Sequence, residues 1–135
     1  MKEAVTYSVV SKRNPVVPQS APLYYAMAQA RGVADIRTLT SRINNMCTVT
    51  HTDVVAVLSA LEAIMAKSLL NGEIVRLGEF GSFQVSISSI GAHTRKEFNA
   101  TYIRSARYLF RPGMILTTAL KIIQYERVPV RWKKH

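Results

Sequence analysis

Two apolar stripes of helical period occupy the middle of the chain. The first recurs every three or four residues after Asp35, whose carboxylate can accept from the free amides of an opening turn. This spacing predicts a half-buried helix along Ile36, Leu39, Ile43 and Met46.

The second stripe is longer and begins after Thr50, three residues before Asp53, which is the spacing of a capping box. Apolar residues then extend from Val54 to Leu69 in a stripe wider than packing against one helix requires. Asn71-Gly72 is expected to end this helix. Because only residues 47–50 separate the two helices, they form an antiparallel hairpin or a helix-turn-helix.

The second half of the chain has the period of two that is typical of strands. Three strands are predicted, at 73–80, 83–88 and 102–110, with a polar segment at 88–99 that forms a loop or a projecting hairpin tip. Pro112-Gly113 then precedes a final helical stripe at 114–123, with proline near the first turn as helices prefer.

The two ends of the chain carry weaker patterns. Val5–Val10 fits a strand, 14–22 holds three of the five prolines and is expected to be an extended linker, and 23–30 fits a strand or a short helix. The basic C-terminal segment is expected to be loose. We therefore divide the chain into an N-terminal extension, a central domain and a C-terminal tail: 1–34, 35–124 and 125–135.

Charge changes the picture, because the 135 residues carry a formal net charge of +10. Residues 35–72 hold three basic and three acidic residues, so the helical part is neutral. Residues 73–135 hold eleven basic and four acidic residues, a net of +7, and residues 1–34 carry four against one, a net of +3. A polyanion is the expected partner, and the strand-rich half is expected to bind it.

Catalytic and metal chemistry find little support in the sequence. Cys47 is the single cysteine, and the three histidines have no ligand spacing. No close pair of carboxylates suits acid–base catalysis, since Asp35 and Asp53 are explained as helix caps. We expect no enzyme activity, no cofactor, no metal and no small-molecule substrate.

Membrane and secretion signals are also missing from the pattern. No apolar run approaches the roughly 18 residues of a membrane span, and the N-terminus lacks the apolar stretch of a signal peptide. A soluble, cytoplasmic protein is therefore expected, with no membrane partner.

Three local motifs in this order resemble the HU/IHF family of bacterial histone-like DNA-binding proteins. They are the helix end at Asn71-Gly72-Glu73, the turn Leu77-Gly-Glu-Phe-Gly-Ser-Phe83 and the step Phe110-Arg-Pro-Gly113. The resemblance covers 35–123, and the N-terminal extension and basic tail look more like the longer HU-related proteins of Bacteroidetes.

The resemblance implies an α+β fold with a helical hairpin base, a three-stranded antiparallel sheet with a β-arm, and a C-terminal helix, assembled as an intertwined homodimer. It implies a nucleoid-associated protein that binds double-stranded DNA without sequence specificity and bends or condenses it. Carried over position by position, the DNA-binding residues are Arg76, Arg95, Lys96, Arg104, Arg107, Arg111 and Lys121.

The chain departs from the family pattern where the arm should be. Residues 86–94 contain no proline and no basic residue, whereas the family arm carries arginines and a wedging proline. Met114 stands where the family usually has a lysine after Pro-Gly. We therefore predict weaker DNA bending than the standard family shows, with Ile90 or Phe98 as substitute wedges only if they are not packed on their own sheet.

A second hypothesis is a structural or protein-interaction module of the same fold, in which DNA bending is weak or lost. RNA binding is a minor third interpretation, since charge alone does not distinguish the two nucleic acids. Membrane-surface binding is weaker, because no helix opposes a basic face to an apolar one.

Overall fold

The computed structural model describes residues 3–130, which form three helices and six strands. The helices are α1 (Ile36–Met46), α2 (His51–Leu70) and α3 (Met114–Leu120). The strands are β1 (Val5–Lys12), β2 (Leu23–Ala28), β3 (Val75–Arg76), β4 (Gly81–Ser89), β5 (Ile103–Pro112) and β6 (Tyr125–Arg127). The chain divides into a first unit, residues 1–35 with 121–135, and a second unit, residues 36–120.

The first unit is a three-stranded sheet in the order β2-β1-β6. β1 and β2 form an antiparallel hairpin, and β6 runs parallel to β1. The amide of Val5 donates to the carbonyl of Gln124 at 2.8 Å, and the amide of Val128 donates to that of Tyr7 at 2.8 Å. The C-terminal segment, expected to be loose, therefore contributes a strand at 125–127, while 131–135 lies outside the described residues.

Polar groups are buried in the first unit and find partners there. Ser8 has no exposed surface, and its hydroxyl accepts from the side-chain amide of Gln29 at 2.8 Å. The hydroxyl of Thr6, 7% exposed, donates to the carbonyl of Gln29. These bonds fasten the segment after β2 across β1, because a buried hydroxyl without a partner would be costly.

The second unit begins with the helical hairpin that the apolar stripes predict. The side chain of Thr50 accepts from the amide of Asp53 at 3.2 Å, so the expected cap of α2 is present. Asn71 is the C-cap, and Gly72 follows with a positive φ of 80°, a conformation that glycine adopts without strain.

The second sheet is antiparallel in the order β3-β4-β5. The first strand, expected over 73–80, is limited to two residues, because the amide of Phe80 bonds to Leu77 and that of Leu77 to Gly81 in a tight turn. The last helix, expected over 114–123, ends at Leu120, so the apolar pattern of 121–123 does not extend it.

Few apolar side chains of the second unit are fully buried. Among residues 3–130, the buried apolar side chains are Val54 and Leu69, both on α2. Val57 and Ile64 of the same helix are 64% and 62% exposed. They are seven residues apart, so they lie on the same side of α2. The chain by itself therefore leaves an apolar side of α2 in contact with water.

Candidate nucleic-acid interface

The second sheet has two chemically different faces, which its register defines. Residues paired across antiparallel strands project to the same side, and neighbours along a strand project to opposite sides. Arg76 pairs with Ser82, and Ser82 pairs with Arg111. Arg107 pairs with Ser86 and falls on that same side, which we call the arginine face.

The rest of the arginine face is uncharged and mostly polar, with Leu109 as its apolar member. Ser88 pairs with Ser105, and their hydroxyls are hydrogen-bonded at 2.7 Å. Gln84 lies between the serines, opposite Leu109. Since four residues of an antiparallel strand span roughly 14 Å, Arg107 and Arg111 are spread along the face rather than clustered.

The opposite face of the sheet is apolar and holds the aromatic core of the second unit. Phe83 pairs with Phe110 in the sheet register, and their ring centroids lie 4.8 Å apart. Phe80, from the tight turn before β4, lies 5.7 Å from Phe110. Leu69 of α2 lines a cleft of about 270 Å³ together with Val85 and Tyr108 of this face and with Arg107. Arg76, Arg107 and Arg111 are all exposed.

Glycines bring the backbone segments beside Arg111 into close contact. The amide of Gly113 donates to the carbonyl of Phe80 at 2.8 Å, and a Cβ at Gly113 would lie 2.2 Å from the carbonyl oxygen of Glu79. A Cβ at Gly81 would lie 2.5 Å from the carbonyl oxygen of Arg111. Only glycine fits these two positions, so the turn before β4 packs directly against the backbone at the end of β5.

Arg104 lies outside the regular alternation of β5. The pairing shifts from Ser88–Ser105 to Ser89–Ile103, which leaves Arg104 as the extra residue of a bulge. A bulge breaks the regular alternation of side chains and re-aims the extra residue. Arg104 is exposed there, at the end of the sheet nearest the β4–β5 loop.

Arg95 and Lys96 are exposed in the loop that joins β4 to β5. This loop is closed by local bonds, including the amide of Ile90 to the carbonyl of Tyr102 at 3.0 Å and the amide of Glu97 to the hydroxyl of Thr94 at 3.2 Å. Phe98 packs edge-on against Tyr102 with ring centroids 5.3 Å apart. This segment was expected to be a loop or a projecting hairpin tip. It is a folded loop that ends in a 3₁₀ turn at Ala100–Tyr102.

Lys121, the last of the expected site residues, follows α3 and belongs to the first unit. The seven expected residues therefore separate into groups. Arg76, Arg107 and Arg111 share a face, Arg104 lies at its bulged end, Arg95 and Lys96 lie in the loop, and Lys121 is in the other unit.

The charges of the arginine face are not compensated by nearby acids. Within residues 3–130, no carboxylate lies within 4 Å of the guanidinium of Arg76, Arg107 or Arg111. The ion pair found in the described part of the chain at 3.3 Å joins Arg31 and Glu126 of the first unit. The face therefore carries three free positive charges, which suits a polyanion.

Sequence reasoning missed the serines and the glutamine that lie between these arginines. Hydroxyl and amide side chains also donate to phosphate oxygens, so Ser82, Gln84 and Ser86 complete a surface of hydrogen-bond donors. The signal was the period of two in β4, which identifies the outward positions once the apolar side is known.

Two other kinds of site are absent from residues 3–130. No group of three or more histidine, cysteine or acidic side chains is placed to hold a metal ion. Across the same residues, no helix has the length and hydropathy to cross a membrane.

Comparisons with known proteins agree with this architecture. A search of curated proteins found no match. A crystal structure from Bacteroides vulgatus, described as a candidate bacterial DNA-binding protein, is similar with a TM-score of 0.62 and 16% identity. The similarity covers 99% of this chain and 52% of that one, so the chain spans about half the length of that structure. A family model, HU domain fused to wHTH, Ig or glycine-rich motif, matches residues 4–127, and the chain therefore belongs to this HU-HIG family.

Proposed function

We propose that this chain binds double-stranded DNA without sequence specificity, as a homodimer, and acts as an architectural protein of the bacterial nucleoid. Membership of the HU-HIG family and the fold shared with a candidate DNA-binding protein support DNA as the partner. Neither an enzyme activity nor a cofactor is part of the proposal.

The observation that carries the proposal is the row Arg76–Ser82–Arg111 with Arg107 on the same face. Cations without acidic partners bind phosphates and release the counterions condensed on DNA. Backbone contacts of this kind position a protein on the duplex but do not read its sequence. Arg104 at the bulge, and Arg95 and Lys96 in the loop, are proposed as further phosphate contacts.

The homodimer is supported by what the second unit leaves exposed. Val57 and Ile64 of α2 are 64% and 62% exposed, and Ile87 on the apolar side of the sheet is 61% exposed. Burying an isoleucine side chain is worth roughly 1.5–3 kcal/mol, so these positions favour a partner surface of the same composition. A second copy supplies one, and it also doubles the arginine face.

Bending by the β4–β5 loop is proposed to be weak. The loop has no proline, and Phe98 is already packed on Tyr102 at 5.3 Å. Unstacking a base step costs a few kcal/mol, which the contacts of an inserted apolar side chain must offset. An aromatic side chain that first loses a ring contact of its own offsets less of that free energy.

The folded loop also supports a second candidate function, a protein-interaction module of the HU fold with weak or lost DNA bending. Mobility-shift titration on a random-sequence duplex at two salt concentrations separates the two. With three phosphate contacts per protomer, six per dimer, we expect the log of the binding constant to fall with log salt with a slope of about −5 or steeper. No shift at low salt, or a shift that salt leaves unchanged, rejects the DNA-binding proposal.

A further inference from the structure

The tip of the β1–β2 hairpin in the first unit is hydrogen-bonded and lies outside the proposed DNA-binding face. The last pair of the β1–β2 hairpin is Lys12 with Leu23, and residues 13–22 form the connecting loop. The segment 14–22 was expected to be an extended linker, but it folds back on itself. The amide of Val16 donates to the side-chain oxygen of Asn14 at 2.9 Å, and the hydroxyl of Ser20 donates to the carbonyl of Val17 at 2.8 Å.

Backbone bonds order the same tip. The amide of Val17 donates to the carbonyl of Asn14 at 3.1 Å, and the amide of Ser20 donates to that of Val17 at 3.0 Å. Three prolines, at 15, 18 and 22, further restrict the loop. An ordered loop loses less conformational entropy on binding than a flexible one, so this tip is prepared for contact.

The composition of the tip is unusual for a surface that faces only water. Val16 and Val17 are 84% and 50% exposed. They follow the exposed cations Lys12 and Arg13 along the chain. No acidic residue occurs from 4 to 34, so nothing within the hairpin neutralises these cations. Lys12, Arg13, Asn14 and Pro15 line one side of a cleft of about 540 Å³.

A duplex groove offers what such a tip needs. The minor groove has apolar sugar walls and a strongly negative potential that attracts arginine and lysine, and apolar side chains including proline enter it. The side-chain oxygen of Asn14 is occupied by the amide of Val16, which leaves the tip without the free amide pair that reads adenine in the major groove.

We propose that the β1–β2 hairpin is a second DNA contact, in which Pro15 and Val16 enter the minor groove and Lys12 and Arg13 bind the flanking phosphates. This inference rests on the proposed function, because double-stranded DNA is the partner in both. It assigns to the first unit a DNA contact that is separate from the arginine face.

Directed cleavage from the tip tests the proposal. An iron–EDTA tether is attached by Val16→Cys in a Cys47→Ser background, since Cys47 is the single cysteine and is exposed. The matched control is Val33→Cys, at a position in the first unit that is 87% exposed. We expect strand cleavage from position 16 to be several-fold above the control.

The charged flank gives an independent measurement. Lys12→Gln with Arg13→Gln is expected to lower the salt slope by about 1.8 per protomer, while Arg37→Gln with Arg42→Gln on α1, the same charge change, leaves it unchanged. If the protein shifts DNA but cleavage from position 16 is no stronger than the control, or if the salt slope of the Lys12 and Arg13 variant equals that of the wild type, the hairpin contact is rejected. Absence of any DNA shift instead rejects the proposed function, and the hairpin contact with it.

Discussion

Arg76 and Arg111 lie on the outer strands of the second sheet, and both pair with Ser82 of the central strand. Two strand spacings place their backbones roughly 10 Å apart, with both side chains on the same face. A small neutral side chain between two unpaired cations leaves room for an anion to approach both. The central position is therefore the most sensitive one on the arginine face.

Ser82→Glu is expected to weaken DNA binding on the order of ten-fold at low salt. The new carboxylate lies beside both guanidinium groups, where it neutralises part of their charge and repels phosphate. Fluorescence anisotropy on a labelled duplex measures the change. Ser59→Glu on an exposed position of α2 makes the same change in net charge, and equal losses for the two variants would contradict a local role for the face.

The exposed apolar side of α2 predicts a homodimer. Ile64→Asp places a carboxylate on that side, where burial in an interface without a partner is costly, so the mass in solution should fall from dimer to monomer. Sedimentation equilibrium measures it. Ser59→Asp, on another side of the helix, should leave the dimer intact, and a wild-type chain that is monomeric at micromolar concentration would refute the interface.

The contact between Gly113 and Glu79 predicts a large stability loss for a small change. Gly113→Ala forces the backbone apart, because the added Cβ would lie 2.2 Å from a carbonyl oxygen, and we expect a loss of about 1–3 kcal/mol. Urea unfolding at one protein concentration measures it. Gly91→Ala is the control, since nothing lies within 4 Å of its Cβ position. Similar unfolding midpoints for both variants would show that the turn yields.

We predict that Phe98 of the β4–β5 loop does not contribute to DNA bending. Because its ring packs on Tyr102, Phe98→Ala should leave the end-to-end distance of bound DNA unchanged while it loosens the loop. Energy transfer between dyes at the duplex ends measures the distance. Straightening of the bound duplex by this substitution, or a full family-like kink with the wild-type protein, would contradict the proposed weak bending.

Much of the second unit could be predicted because its signals are local. The cap of α2 needs only Thr50 and Asp53, and the alternation of Phe83, Val85 and Ile87 already separates the two faces of β4. The step at Phe110–Gly113 was recognisable from its residues. These features depend on short-range geometry that side-chain type determines.

Other features depended on pairing between distant segments and were not visible. The bulge that displaces Arg104 arises where β5 shifts register against β4, and no residue type marks it. The strand at Tyr125–Arg127 forms only because β1 offers an edge more than a hundred residues away in sequence. The turn at 15–20 was hidden because a proline-rich segment also fits an extended linker.

The salt dependence of duplex binding, compared between two charge-matched variants, tests the central claim most directly. For Arg107→Gln with Arg111→Gln, we expect the slope of log K against log salt to flatten by about 1.8 per protomer. For Arg37→Gln with Arg42→Gln, which lowers the net charge equally, we expect the wild-type slope. Equal slopes for the two variants, or no binding by the wild-type chain at low salt, would contradict a DNA-binding arginine face.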